Sequence, residues 1–125
     1  MECDPEACGL IRQNRERFHA CNLTLVEGRA PAALADLPAP DAVFIGGSQG
    51  GHGAVVDTVL ARNPNARICI SAIALETLSA AVAALTAHGF AAEVTQIAVS
   101  RTRPAGRLHL LMANNPIFLI TGERK

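Results

Sequence analysis

The chain has 125 residues, half of them apolar, which is enough for one domain with a substantial core. Eleven basic and eleven acidic residues give a formal net charge of zero. That balance argues against a dedicated nucleic-acid binder and favours a small-molecule ligand. No apolar run reaches about 18 residues, so we expect neither a transmembrane helix nor a membrane partner.

The N-terminus and the cysteines favour a cytoplasmic protein. The start, Met1–Asp4, has neither the basic residues nor the apolar stretch of a signal peptide. The cysteines form no C-x-x-C pair, so we expect no metal site and reduced thiols with structural roles. They are Cys3, Cys8, Cys21 and Cys69.

The first half of the chain alternates predicted helices and strands. Asp4 is a good cap for a helix that begins at Pro5 and runs to about His19, with Leu10 and Phe18 on its apolar face. A short strand over 23–26 and a brief helix over 31–37 follow. Apolar runs then predict strands over 42–45 and 67–72, with a helix over 54–62 between them.

The second half continues with a helix over 75–88 and a long strand over 92–101. A polar loop over 102–106 and a last strand over 117–121 complete the order. Alternating helices and strands predict a mainly parallel sheet covered on both faces. The last two strands have no helix between them, so we expect them to form an antiparallel hairpin.

Two positions near the start could hold a nucleoside. Glu2 stands just before the first helix, where an acidic residue of nucleotide-binding folds accepts hydrogen bonds from ribose hydroxyls. The alternative is an exposed acidic start. Gly28 follows the predicted strand over 23–26 and lets the backbone turn closely around a flat ring. The alternative there is an ordinary strand-to-helix turn.

The segment Gly46–Gly50 fits G-x-S-x-G, which is the nucleophile elbow of α/β-hydrolases. Ser48 would then be a nucleophile, with Glu76 or Glu93 and then His109 as its partners. The chain is short for that fold, and no second glycine-rich motif for an oxyanion hole precedes the serine. The segment is neither a dinucleotide fingerprint nor a phosphate-binding P-loop.

Three further features could contact a ligand. Glu76 follows a strand, at the sheet edge that usually borders the binding crevice, although a glutamate there also favours the start of a helix. Arginine side chains at 101, 103 and 107 could grip a polycarboxylate through forked hydrogen bonds, or belong to a solvated loop. Asn115 lies in a turn that enters the last strand.

Read in chain order, four segments resemble the decarboxylating precorrin methyltransferases of cobalamin biosynthesis. They are Pro40–Ser48, Ala74–Leu78, Val99–Arg101 and Asn115–Phe118, and the first is the most specific. The resemblance covers nearly the whole chain. It implies the α/β fold of class I S-adenosylmethionine-dependent methyltransferases, a Rossmann-like sheet that ends in an antiparallel strand pair.

The resemblance also implies a reaction and a set of site residues. Such enzymes methylate carbon 15 of a cobalt-precorrin and remove carbon dioxide from the acetate on ring C. The resemblance also implies that the protein is a homotetramer. The methyl donor is S-adenosyl-L-methionine, and the cofactor-binding residues would be Glu2, Gly28, Arg29 and Ala30. The corrinoid precursor would meet Gly46, Gly47, Ser48, Arg103 and Asn115. Glu76 and Arg101 would be the catalytic residues.

One departure from the family concerns a G-x-G-x-G-type loop that its members carry after their first strand. No such loop precedes Glu2 in this sequence. We therefore expect residues 1–125 to be a partial methyltransferase domain without the first strand, that loop, the next helix and most of the second strand. Such a chain would bind the cofactor weakly or not at all. Another small-molecule methyltransferase, a serine hydrolase at Ser48 and an inactive fragment stay open as alternatives.

Overall fold

The computed structural model describes residues 1–46 and 50–124, apart from the side chain of Glu123. The chain divides into two compact units, Met1–Pro38 and Ala39–Lys125. In the described ranges no helix is long and apolar enough to cross a membrane. The same ranges contain no group of three or more His, Cys, Asp or Glu side chains that could hold a metal ion.

The first unit is built around helix α1, Pro5–Arg17. The Asp4 side chain accepts a hydrogen bond from the backbone N–H of Ala7, so the predicted N-cap is confirmed. The helix ends two residues before the predicted end, because His19 adopts a left-handed φ of 50°. The brief helix expected over 31–37 is a 3₁₀ turn, Ala32–Leu34.

Two predictions for the first unit are wrong. Residues 23–26 form no ladder, because the only partner they meet in the described part of the chain is the short stretch around Glu2. A single parallel bridge joins Glu2 to Glu27. The apolar face assigned to α1 is also incorrect, since Leu10 is 53% exposed and Phe18 is 69% exposed. Only Cys8 is buried along this helix.

The described residues of the second unit form six strands and two helices. The helices are α2, His52–Arg62, and α3, Leu75–Ala87, so α2 begins two residues before its predicted start and α3 ends one residue early. The strands are β1 Ala42–Ile45, β2 Arg67–Ala72, β3 Phe90–Ile97, β4 Ser100–Ala105, β5 Leu108–Ala113 and β6 Ile117–Arg124.

Four of these strands form a sheet in the order β1-β2-β6-β3. Strands β1 and β2 are parallel, and β6 pairs antiparallel with both β2 and β3. The strands β1, β2 and β3 therefore run in one direction and β6 runs against them. The predicted α/β fold is confirmed, but the sheet is mixed and not mainly parallel: of its ladders only β1 with β2 is parallel, because the reversed strand β6 is inserted between β2 and β3.

The core of the second unit lies between this sheet and the two helices. Ile70 of β2 and Ile120 of β6 are directly paired and fully buried, as are Val56 of α2 and Leu85 of α3. Alternate strand positions point to the other face, where Phe44 is 66% exposed. Within this unit the helices cover one face of the sheet, whereas the sequence predicted helices on both faces.

The chain after β3 differs most from the sequence prediction. The expected strand over 92–101 is two strands, and the expected polar loop over 102–106 is the end of β4 and the start of a tight turn. The turn is a two-residue loop in which Gly106 has the φ of 62° that such hairpins require at their first loop position. Strand β5 was not predicted, because its apolar residues do not alternate with polar ones.

Strands β4 and β5 form a separate two-stranded sheet, which we call the ribbon. It is inserted between β3 and β6. The expected antiparallel neighbours β3 and β6 do pair along their whole length, from Phe90 with Arg124 to Ile97 with Ile117. They are neighbours in the sheet and not the two arms of one hairpin.

Candidate functional site

Two of the predicted cofactor-binding segments meet in the first unit. The backbone N–H of Glu2 donates to the carbonyl of Val26 at 3.0 Å, and the backbone N–H of Gly28 donates to the carbonyl of Glu2 at 2.9 Å. The segment before α1 and the segment 26–28 are thus fixed side by side. Glu2 and Gly28, which are far apart in sequence, lie next to each other.

The Glu2 carboxylate has a fixed orientation. Its Oε1 accepts hydrogen bonds from the backbone N–H groups of Asp4 at 2.8 Å and of Cys3 at 2.7 Å. These two bonds favour the charged form and lower the pKa of Glu2 below its usual value. The Oε2 atom makes no hydrogen bond within the described residues, so an ionised acceptor is available for a ligand.

Gly28 is required where it stands. Its φ is 151°, and a Cβ at this position would come within 2.8 Å of the Cβ of Ala33. Any larger residue would displace the 3₁₀ turn that follows. Arg29 is part of that turn, since its carbonyl accepts from the N–H of Ala33 at 3.0 Å. Ala30 precedes Pro31 through a cis peptide bond.

Sequence reasoning missed two contacts that hold this junction on α1. The guanidinium of Arg12 forms an ion pair with the carboxylate of Glu27. The buried Cys8 thiol donates to the carbonyl of Glu2 at 3.6 Å. Burial, followed by the nearby charge of Glu27, raises the pKa of that thiol. No spacing rule links residue 12 to residue 27, so the sequence carried no signal for the ion pair.

The candidate substrate-binding residues of the second unit belong to segments that leave one edge of the four-stranded sheet. Ile45 at the end of β1 pairs with Ile70, near the end of β2. Ala72 pairs with Phe118, near the start of β6, and Ile97 at the end of β3 pairs with Ile117. We call this edge the carboxyl edge. The segments that leave it carry Gly46, the start of α3 with Glu76, the ribbon with Arg101 and Arg103, and the turn with Asn115.

Gly46 lies in a close contact at this edge. A Cβ there would approach the Phe44 ring to 3.0 Å and the Ser71 hydroxyl oxygen to 3.4 Å. The other two residues predicted in this loop, Gly47 and Ser48, lie outside the described residues. Gly51 has a φ of 84° and is the N-cap residue directly before α2.

His52 follows this glycine loop and was not singled out from the sequence. It is the first residue of α2, is only 3% exposed, and is the one buried polar or charged residue among those described. Burial lowers its pKa, since desolvation penalises the imidazolium form. A histidine next to several glycines gives no sequence signal of burial.

Glu76 lies in the first turn of α3 and is exposed. The serine-hydrolase hypothesis needed Glu76 or Glu93 together with His109. The structure places these three side chains on separate elements, α3, β3 and β5, and all three are exposed.

Arg101 and Arg103 lie on one face of the ribbon. In the antiparallel register, Arg101 is opposite Met112 and Arg103 is opposite Leu110. Both arginines are exposed, and neither forms an ion pair within the described residues. Arg107 lies in the turn at the far end of the ribbon. This face therefore combines two free guanidinium groups with apolar neighbours.

A concavity of the second unit lies at the opposite edge of the sheet. It has a volume of about 900 Å³, and its lining includes Asn65, Phe90 and Arg124. Arg124 donates to the Oδ1 of Asn65 at 2.8 Å and lies over the Phe90 ring. No candidate site residue lines this concavity.

Comparison with known proteins decides the family. The family model of the precorrin methyltransferase domain matches residues 1–124. The chain belongs to the precorrin methyltransferase family. This membership confirms the resemblance noted from the sequence and does not support the serine hydrolase.

The relatives agree on the family and on the fold. A probable cobalt-precorrin-6B C(15)-methyltransferase (decarboxylating) of Pyrobaculum calidifontis is 38% identical over 122 residues, which are 97% of this chain and 63% of the relative. A precorrin-6Y C5,15-methyltransferase of Geobacter metallireducens superposes with a TM-score of 0.89 at 40% identity, over 98% of this chain and 64% of that one.

A precorrin-8w decarboxylase of Methanobacterium thermoautotrophicum superposes with a TM-score of 0.87 at 33% identity, over 96% of this chain and 66% of that one. This chain thus spans less than two thirds of the length of each of these relatives. The α/β fold is that of the Rossmann-like S-adenosylmethionine-dependent methyltransferases.

Proposed function

We propose that this precorrin methyltransferase domain serves S-adenosyl-L-methionine-dependent methyl transfer to a cobalt-precorrin or precorrin macrocycle, with decarboxylation of the acetate on ring C, in cobalamin biosynthesis. The observation that carries the proposal is the convergence of Gly46, Glu76, Asn115 and the ribbon at the carboxyl edge of the sheet. In open α/β sheets, ligands bind outside the carboxyl ends of the strands.

The cofactor would be held by Glu2, Gly28, Arg29 and Ala30. An ionised carboxylate with a free Oε2 suits the two hydroxyl donors of a ribose. The backbone around Gly28, which no Cβ obstructs, suits a flat adenine lying against Ala30. The residues present therefore fit the nucleoside part of S-adenosyl-L-methionine. When bound, its sulfonium supplies an electrophilic methyl group.

The macrocycle would lie along the carboxyl edge. Arg101 and Arg103 offer forked donors for peripheral carboxylates, and the apolar residues beside them suit the face of a large ring. The loop with Gly46, Gly47 and Ser48 would border the ring, and Asn115 would donate to it from the turn before β6. The combined apolar and cationic character of the ribbon supports this assignment.

The reaction depends mainly on how the reacting groups are positioned. Held by Glu2, Gly28, Arg29 and Ala30, the cofactor would supply its methyl group to an electron-rich ring carbon, with its thioether as the leaving group. In the decarboxylation, the bond from the acetate methylene to its carboxylate breaks, carbon dioxide leaves, and the electron pair is taken up by the ring before a proton arrives. Arg101 would hold the carboxylate, and Glu76 would be the ionisable group beside the ring. Alignment of the reacting groups would supply most of the rate enhancement.

A titration with S-adenosylhomocysteine tests the cofactor site. We expect low affinity, because these four residues account for ribose and adenine contacts alone, so amide chemical shifts are the suitable readout. The amide resonances of Gly28 and Ala30 should move. Glu2→Gln should weaken binding about tenfold, the effect of losing about 1.4 kcal/mol from a charged hydrogen bond.

Glu6→Gln is the matched control, since Glu6 is an exposed acid in the first turn of α1. It should leave the dissociation constant unchanged. Shifts confined to residues outside the first unit, or equal losses in the two variants, would contradict the assignment of the ribose to Glu2.

We also propose that the protein is cytoplasmic and forms a homo-oligomer, which the resemblance implies is a tetramer. Its partner would be the corrinoid precursor, and it would bind neither nucleic acid nor a membrane. Support comes from the balanced charge and from the four free cysteines, which suit a reducing compartment. Sedimentation equilibrium gives the oligomeric state directly.

A further inference from the structure

We propose that Ile73 and Leu75, in the segment that joins β2 to α3, form an apolar contact for the face of the corrinoid macrocycle. We call these two side chains the apolar patch. The inference rests on the corrinoid substrate of the proposed function, and it adds two substrate-contacting residues at the middle of the carboxyl edge.

The apolar patch is open to solvent. Ile73 is 73% exposed and Leu75 is 75% exposed, which are among the highest values of the large apolar side chains in the described ranges. Ala72, the residue directly before them, is 2% exposed. A single exposed leucine is ordinary on a protein surface, so the position of the pair matters more than its exposure.

Leu75 continues a helix face that is otherwise packed. Leu75, Leu78 and Val82 lie at helical spacing on one face of α3. Leu78 and Val82 are half-buried, whereas Leu75, in the first turn, is exposed. Strand β2 ends at Ala72, so this first turn lies at the carboxyl edge of the sheet. Leu75 therefore contributes little to the packing of the unit and is available to a ligand.

The strand order places the apolar patch between polar segments. Strand β2 lies between β1 and β6, so its exit lies between the glycine loop after β1 and the turn with Asn115 before β6. A Cβ on Gly46 would approach the hydroxyl oxygen of Ser71, in β2, to 3.4 Å, so the glycine loop begins beside the end of β2. Strand β3, on the far side of β6, leads into the ribbon with its arginines.

This arrangement suits a large ring with charged groups on its rim. From β1 to β3 the edge spans three strand spacings, about 14 Å, so a ligand that meets both the glycine loop and the ribbon must be large. The face of a corrinoid is apolar and its rim carries carboxylates. Contact with Ile73 and Leu75 would fix the plane of the ring, and Arg101 and Arg103 would fix its rotation within that plane by holding carboxylates.

Ring-current shifts test the contact. The probe is uroporphyrin, a planar aromatic tetrapyrrole with carboxylates around its rim. Its ring current moves protons above the face upfield and protons beside the rim downfield. With isoleucine and leucine methyl groups labelled, we expect the methyl resonances of Ile73 and Leu75 to move upfield. Downfield movement of both, or shifts confined to Ile68, which lines the concavity at the opposite edge, would overturn the inference.

Affinity gives a second readout, from the fluorescence of uroporphyrin in about 1 M salt, where the screening length of about 3 Å weakens the ion pairs. Leu75→Ser should raise the dissociation constant about tenfold, because a leucine contact with the ring is lost. Leu75→Met keeps an apolar side chain of similar volume and should retain the affinity. Leu10→Ser changes a leucine that is 53% exposed on α1, and it should also leave the affinity unchanged.

The outcomes separate this inference from the proposed function. If the unmodified chain binds uroporphyrin and Leu75→Ser binds it equally well, the apolar patch is refuted while a corrinoid site elsewhere on the chain stands. If the unmodified chain does not bind uroporphyrin in either experiment, both the apolar patch and the corrinoid substrate are refuted.

Discussion

Gly28 is the residue on which the cofactor junction depends most directly. It combines a left-handed φ with a contact that leaves no room for a Cβ, so the backbone there can follow only one path. The neighbouring Glu2 carboxylate is then fixed by its own hydrogen bonds. Both residues were predicted from the sequence, because a glycine after an apolar run and an acid before a helix cap are local patterns.

Gly28→Ala should lower the free energy of unfolding by about 1–3 kcal/mol, the usual cost of forcing a side chain into a left-handed or crowded position. Gly9→Ala is the control, because Gly9 lies inside α1 with open space around its Cβ position. It should raise stability by about 0.5–1 kcal/mol. Urea denaturation measures both, and equal effects in the two variants would contradict the role of Gly28.

His52 should make the fold sensitive to acid. Its pKa is lowered by burial, so the folded chain binds this proton less readily than the unfolded chain, whose histidine has a pKa of about 6.5. The contribution of His52 to the free energy of unfolding is complete above that pH. It is lost as the pH falls from about 6.5 towards the lower pKa of the folded chain.

His52→Gln should therefore flatten the fall in melting temperature between neutral pH and pH about 5, where the unfolded histidine becomes protonated. His109→Gln, a change of the same kind at an exposed position, should keep the fall of the unmodified chain. A fall of the same size in His52→Gln would mean that another group causes the acid sensitivity. Thermal denaturation at several pH values measures it.

At the scale of elements, the sequence predicted those whose pattern is local. Strands β1 and β2 have the predicted bounds, and the helices differ by one or two residues at their ends. The segment 23–26 is apolar enough for a strand, but among the described residues its backbone neighbour is the stretch around Glu2. It forms no ladder, because a ladder needs a partner strand, which composition does not reveal. The ribbon was missed because β5 lacks alternation and Pro104 discourages a strand assignment, although an outer edge tolerates proline.

The packing of β2 against β6 and the helices carries the core of the second unit. Ile70→Ala removes a fully buried side chain and should lower the free energy of unfolding by about 2–5 kcal/mol, which combines lost transfer energy with the cavity left behind. Leu75→Ala, at the exposed start of α3, should change it by less than about 0.5 kcal/mol. A comparable loss in Leu75→Ala would show that the start of α3 is packed.

At the scale of the molecule, each of the two units carries its own group of candidate residues. The first unit carries the junction of Glu2 with Gly28, and the second carries the carboxyl edge with Glu76, Arg101 and Asn115. The family resemblance assigned cofactor to the former and corrinoid to the latter. Sequence reasoning predicted the members of both groups as candidates. It did not predict that the segments of the second group leave one edge of the sheet together, because only the strand order shows this.

A single-turnover measurement tests the proposed methyl transfer. The chain is mixed at high concentration with S-adenosyl-L-methionine labelled with tritium in its methyl group and with the cobalt-precorrin substrate, so that weak cofactor binding does not limit the yield. We expect label in the corrinoid together with released carbon dioxide, and loss of both in Arg101→Ala. An unlabelled corrinoid, from a chain that is folded and shifts its Gly28 amide with S-adenosylhomocysteine, would contradict it.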